Sequence, residues 1–134
     1  MKAMILAAGL GTRLKPLTDK KPKALVEIDG VPLLEYVIRH LKRNRIREII
    51  INVHHFSEQI VDFLIEKNNF NINIEISDEK GRLLNTGGGL KHAEWFLNDG
   101  NDFLVYNVDV ISDINLNALI DFHKKNEALA TLAV

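Results

Sequence analysis

A chain of 134 residues with 46% hydrophobic residues, 26% charged residues and a net charge of −1 is long enough to bury a real core and fits one soluble domain. The absence of cysteine excludes disulfides, cysteine-ligated zinc and a thiol nucleophile, so any metal would be bound by oxygen or imidazole. The longest apolar stretches, Ala3 to Leu10 and Ala128 to Val134, fall far short of the ~20 residues of a membrane helix. Met1-Lys2 leads straight into a strand-like segment rather than a secretory signal, so a cytoplasmic location is expected.

The near-zero net charge hides an asymmetry: residues 1 to 50 carry 11 Lys and Arg against 5 Asp and Glu, and the rest carry 6 against 13. Arg39, Lys42, Arg43, Arg45 and Arg47 lie on one predicted helix and its exit turn and read as a solvated face. Arg13, Lys15, Lys20, Lys21 and Lys23 flank a glycine-rich loop, which suits a small anionic ligand better than a nucleic acid.

Met4-Ile5-Leu6-Ala7 is a continuous apolar run ending near a glycine, as a strand buried on both faces of a parallel sheet would be. Similar strands are predicted at Ile49 to Val53, Ile72 to Ile76, Phe103 to Tyr106 and Ala128 to Val134. Between them, Leu33, Leu34, Val37, Ile38 and Leu41 share one helical face. Ser57 is placed to cap a second helix with Ile60, Val61, Leu64 and Ile65 on its stripe, and further helices follow Thr86 and Asn115. Alternating strands and helices predict parallel pairing in an α/β layered sheet. His54 and His55 point to opposite faces if extended and read as surface or loop residues rather than a metal pair. Trp95 and Phe96 read as core. Ala128 to Val134 stops without a cap or polar tail, so the expectation is either a truncated chain or a terminal strand covered by a partner, for instance a second copy.

The segment from Leu6 through Gly9, Gly11, Thr12 and Arg13 to Lys21-Pro22-Lys23 carries the most chemistry. At the carboxyl end of a parallel strand, glycines let backbone N–H groups converge on an anion, and the Thr12 hydroxyl and Arg13 guanidinium add donors. A dinucleotide fingerprint requires a third glycine where Leu14 stands and an immediate helix where Pro16 intervenes; the Walker A ending is also absent.

Gly9-Leu10-Gly11-Thr12-Arg13 with Pro22-Lys23 resembles the G-x-G-T-R…P-K signature of the sugar-1-phosphate nucleotidylyltransferases. Leu84-Asn85-Thr86-Gly87-Gly88-Gly89-Leu90 and Val105-Tyr106-Asn107-Val108-Asp109 extend the match over essentially the whole chain. The pattern is most similar to the branch of N-acetylmuramate-1-phosphate uridylyltransferases and mannose- or heptose-1-phosphate guanylyltransferases. The resemblance implies a three-layer, Rossmann-like, mostly parallel α/β fold and a single nucleotidyltransferase domain of which residues 1 to 134 form the N-terminal portion.

The implied activity is transfer of a nucleoside monophosphate from a nucleoside triphosphate to a sugar-1-phosphate, with Mg2+ as cofactor. Arg13, Lys23 and Asp109 would be catalytic, and Asp109 a metal ligand. Leu6, Ala8, Gly9, Gly11, Thr12, Arg13, Asn85, Thr86 and Gly87 would contact the nucleotide. The family's later residues supply much of the sugar pocket and a second metal-binding aspartate, and no residue here matches them. Two alternatives stand beside this reading. One is a non-catalytic nucleotide-binding or regulatory homologue. The other is a nucleotide-sugar-dependent glycosyltransferase, whose D-x-D motif Asn107-Val108-Asp109 superficially resembles.

Overall fold

Strand β1 (Lys2–Leu6) lies inside a four-stranded sheet whose other members are β4 (Glu48–Val53), β5 (Asn73–Asp78) and β6 (Phe103–Asn107). In this computed structural model, which describes residues 1–134, the strand order is β5-β4-β1-β6 and every neighbouring pair is parallel. The intervening helices are α1 (Leu33–Arg43), α2 (Ser57–Glu66), α3 (Asn85–His92) and α4 (Glu94–Leu97), and α5 (Leu116–Lys125) follows β6. A two-residue hairpin joins β2 (Glu27–Ile28) to β3 (Val31–Pro32). Its turn residues, Asp29 and Gly30, both have positive φ, the geometry an Asp-Gly pair supplies in a tight hairpin.

Alternation of side chains across the sheet makes three layers. Ala3, Ile5, Ile49, Ile51 and Val53 face a larger core with Leu34, Val37, Ile38, Leu41, Ile60, Leu64 and Leu116 from α1, α2 and α5. Met4 and Ile50 face the other way, onto Ala93, Phe96 and Leu97. The five apolar positions assigned to α1 are all buried. On α2 only Ile60 and Leu64 of the predicted stripe are buried; Ile65 is exposed and Phe63 packs on the core instead, because the helix presents a narrower face than four apolar residues suggest.

Three further expectations are corrected. Ala128 to Val134 forms no strand: Leu129, Leu132 and Val134 are exposed, and apolar content alone does not make a strand without a ladder partner. Ser57 does not cap α2, since the cap position is Phe56 in a left-handed conformation, with no side-chain hydrogen bond, and Ser57 is buried in the first turn. Phe96 is core as expected, but Trp95, its neighbour on a four-residue helix, points outward and is exposed. Asn115 does cap α5, accepting from the Ala118 amide at 3.1 Å.

His40 is buried on α1 against the edge of the Tyr106 ring, and its Nε2 has no hydrogen-bond partner. Burial and the nearby Arg43 lower its pKa, partly opposed by the Ile114 backbone and Asp113. The folded state therefore binds this proton less readily than the unfolded chain does. Stability is fully expressed above the unfolded value of about 6.5 and is lost as pH falls below it. Chemical denaturation between about pH 5 and 8 should show this slope in the wild type and a shallower one in His40→Gln. Equal slopes would contradict the assignment.

Candidate active site

The carboxyl ends of the strands set the site. Register places Leu6 of β1 beside Asn52 of β4 and Asn107 of β6, so these three side chains lie in one row on the face that carries α3 and α4. Over this row opens a cleft of about 250 Å³ lined by Leu6, Ala8, Gly9, Lys23, Asn52, Glu79, Leu83, Asn85, Thr86, Asn107, Val108 and Asp109.

Beyond Leu6 the chain leaves the ladder, and two buried amides need new acceptors. The Asn52 side chain provides one: its Oδ1 accepts from Ala7 N at 2.7 Å and from Ala8 N at 3.3 Å. The amides of Gly9, Leu10 and Gly11 donate to no other protein group. Gly11 has φ +65, and its carbonyl accepts from the Thr18 hydroxyl at 2.7 Å, which folds the loop back toward Lys23. Lys23 opens a 3₁₀ turn after Pro22 and donates from Nζ to Asp109 Oδ2 at 2.5 Å, joining the loop to the end of β6.

This ion pair, together with the weaker field of Arg13, holds the Asp109 carboxyl below the usual carboxylate range against the opposing effect of partial burial. A depressed folded value means that the pair contributes stability above the unfolded value of about 3.9 and loses it as pH falls through the lower folded one. A carboxyl NMR titration should place Asp109 below an ordinary aspartate and return it upward in Lys23→Ala. An unchanged midpoint in the variant would show that Lys23 is not the cause.

Of the residues singled out from sequence, the fold brings Leu6, Ala8, Gly9, Lys23, Asn85, Thr86 and Asp109 to the cleft. Gly11, Thr12, Arg13 and Gly87 are not on its lining. Thr12 and Arg13 are exposed on the 3₁₀ turn Thr12–Leu14, and Gly87 is exposed in the first turn of α3. Thr86 does not cap α3, which begins at Asn85 with Thr86 already inside it. The three glycines lie inside the helix rather than before it, and two of them pack: a Cβ on Gly88 would lie 2.9 Å from Leu84 Cβ, and one on Gly89 would lie 2.9 Å from Glu79 Oε1.

Asn52, Glu79 and Leu83 carry no site expectation from sequence, and Asn107 and Val108 enter only through the D-x-D likeness of the glycosyltransferase alternative. Asn52 had a readable signal, a lone amide inside the apolar run Ile49 to Val53. Glu79 had none, being one of two adjacent acids after a strand. His54, read as a surface or loop residue, lies in the loop after β4, half-buried with Nδ1 2.6 Å from the Glu79 carbonyl; a carbonyl only accepts, so Nδ1 carries the proton. His55 is exposed beside Phe56.

Residues 2–134 match the family model described as nucleotidyl transferase. The chain belongs to the nucleotidyl transferase family. It is 41% identical over 121 residues to an N-acetylmuramate alpha-1-phosphate uridylyltransferase of Caulobacter vibrioides, an alignment covering 89% of this chain and 50% of that protein. It is 40% identical to a mannose-1-phosphate guanyltransferase of Hypocrea jecorina over 100% of this chain and 37% of the other. Among solved structures, HddC from Yersinia pseudotuberculosis complexed with GMP-PN superposes with a TM-score of 0.80 at 30% identity, covering 91% of this chain and 53% of that one. This nucleotidyl transferase chain thus spans 37% to 53% of the length of these relatives. No helix in it is long and apolar enough to cross a membrane.

Proposed function

We propose that this chain forms the nucleoside triphosphate-binding portion of a sugar-1-phosphate nucleotidylyltransferase, which transfers a nucleoside monophosphate to a sugar-1-phosphate and releases pyrophosphate. The observation that carries this reading is that Gly9, whose amide is unpaired, meets Lys23 and Asp109 on the lining of one cleft, with the unpaired Leu10 and Gly11 amides following in the same loop. Three amides and an ammonium group suit a polyphosphate. Asn85 and Thr86, on the same lining, would contact the ribose or base.

A phosphate monoester with a second pKa near 6 is largely dianionic at neutral pH, so the acceptor needs no general base. The protein's task is to hold two anions in line and to stabilise charge on the α-phosphorus and departing pyrophosphate. Lys23 would contact the phosphates once nucleotide enters. Arg13, outside the cleft lining but close enough for its field to reach Asp109, would meet the pyrophosphate end.

Asp109 suits Mg2+ as one hard oxygen ligand. No group of three or more His, Asp or Glu side chains gathers elsewhere to cage an ion, and Mg2+ commonly takes one or two carboxylates with substrate phosphates completing its shell. When bound, the ion would neutralise phosphate charge and polarise the α-phosphoryl group. In this reading residues 1–134 are one domain portion and act in a soluble, cytoplasmic protein.

Pyrophosphate release measured with a panel of nucleoside triphosphates and sugar-1-phosphates plus Mg2+ tests the proposal. Release that needs one matched pair of substrates supports it. Nucleotide binding without release from any pair would instead favour the non-catalytic binding module.

A further inference from the structure

Glu79 and Asn52 are almost fully buried polar residues that touch each other at the floor of the cleft. Asn52 Nδ2 donates to Glu79 Oε1 at 2.9 Å, and Glu79 Oε2 accepts from Leu84 N at 3.1 Å. With the Ala7 and Ala8 amides on Asn52 Oδ1, an unbroken chain of hydrogen bonds runs from the root of the glycine loop to the entry of α3. Its orientation is forced: backbone amides only donate, so the Asn52 oxygen must face Ala7 and Ala8, its NH2 must face Glu79, and both Glu79 oxygens must accept.

The rest of the fold immobilises this chain of bonds. The Glu79 amide donates to Val53 O at 2.8 Å and the Glu79 carbonyl accepts from His54, so its backbone is tied to the end of β4. Gly89 closes the other side, where a Cβ would meet Glu79 Oε1 at 2.9 Å and Asn52 Nδ2 at 3.0 Å. The third glycine of the run therefore lets α3 settle on the pair.

We propose that Asn52 and Glu79 are positioning residues that couple the phosphate loop to the Leu84–Thr86 wall, so that the two halves of the nucleotide site hold one spacing. This rests on the nucleotide-site reading for its consequence, though the coupling itself does not need a ligand. Glu79→Gln places an NH2 against either Asn52 NH2 or the Leu84 amide, and Asn52→Asp sets two carboxylates together. The combined variant Asn52→Asp with Glu79→Gln reverses the bond between the side chains and satisfies every partner: the new carboxylate accepts from Ala7, Ala8 and the Gln amide, whose oxygen accepts from Leu84.

Amide hydrogen exchange of the full 134-residue chain without nucleotide, with calorimetric titration of nucleoside triphosphates and Mg2+ alongside, tests the coupling. Glu79→Gln should speed exchange at Ala7 and Ala8, and Asn52→Asp at Leu84, each by about tenfold or more, the usual scale for stranding a buried partner. The combined variant should recover both to within about threefold, and nucleotide affinity should fall and recover in parallel. If the single variants do not fold, a folded double variant still supports the reversal. Distant amides unmoved by the single changes, or a double variant no better than either, would overturn the proposal. Coupled exchange in a wild-type chain that binds no nucleotide would leave the coupling standing and refute the nucleotide reading instead.

Discussion

Lys23→Ala is expected to weaken binding of a nucleoside triphosphate roughly 100-fold, the scale seen when one partner of a desolvated charge pair is removed. Lys23 is mostly buried at the cleft, and its Nζ holds Asp109 Oδ2. The substitution acts twice: it removes the cation that faces the phosphates, and it leaves the Asp109 carboxylate unpaired beside an incoming anion. The second effect is separable, because Asp109→Asn in the Lys23→Ala background removes the stranded charge. In the absence of Mg2+, the double variant should bind more tightly than Lys23→Ala alone. Isothermal titration without metal checks this, and a double variant that binds no better would show that repulsion from Asp109 is not part of the loss.

Two glycines in the same loop are expected to fail in opposite ways. Gly11 has φ +65, and a Cβ there would lie 2.8 Å from Thr18 Cγ2 and 3.0 Å from Lys23 Cβ. Gly11→Ala combines left-handed backbone strain with overpacking and should cost about 2–4 kcal/mol of stability. Gly9 has no heavy atom within 4 Å of a Cβ position and no positive φ, so Gly9→Ala should leave stability within about 0.5 kcal/mol of wild type. Yet Gly9 lines the cleft with an unpaired amide, and the added methyl would compete with a ligand for that space. Denaturant melts and nucleotide titrations on both variants check the split. Loss of stability in Gly9→Ala, or none in Gly11→Ala, would reverse these assignments.

Local chemistry made the sheet and the first helix legible. The apolar runs of β1, β4 and β6, largely buried in the first two and partly exposed in the third, lack polar interruption except toward their carboxyl ends, and the five apolar positions of α1 recur at helical spacing. The same logic placed Gly9, Lys23 and Asp109 at one strand edge, because parallel strands bring their carboxyl ends together whatever the loops do. What escaped depends on partners distant in sequence. Asn52 and Glu79 are 27 residues apart and meet only when β4 and β5 pair, so although Asn52 stands out as a lone amide in an apolar run, nothing in the sequence joins it to Glu79. The three glycines after Thr86 looked like an open helix start, whereas Gly88 and Gly89 answer to Leu84 and to the Asn52–Glu79 pair, contacts that exist only after folding. Ala128 to Val134 has strand composition but no neighbour to pair with, and composition supplies no hydrogen-bond partner.

Mapping of backbone amide resonances during titration with nucleoside triphosphate and Mg2+ tests the central claim most directly. The predicted result is saturable shifts at Gly9, Leu10 and Gly11 on one wall, at Asn85 and Thr86 on the other and at Asp109 between them, with one nucleobase favoured. Shifts confined to other surfaces, or none at Gly9 to Gly11 with any nucleotide, would contradict a triphosphate site at this edge of the sheet.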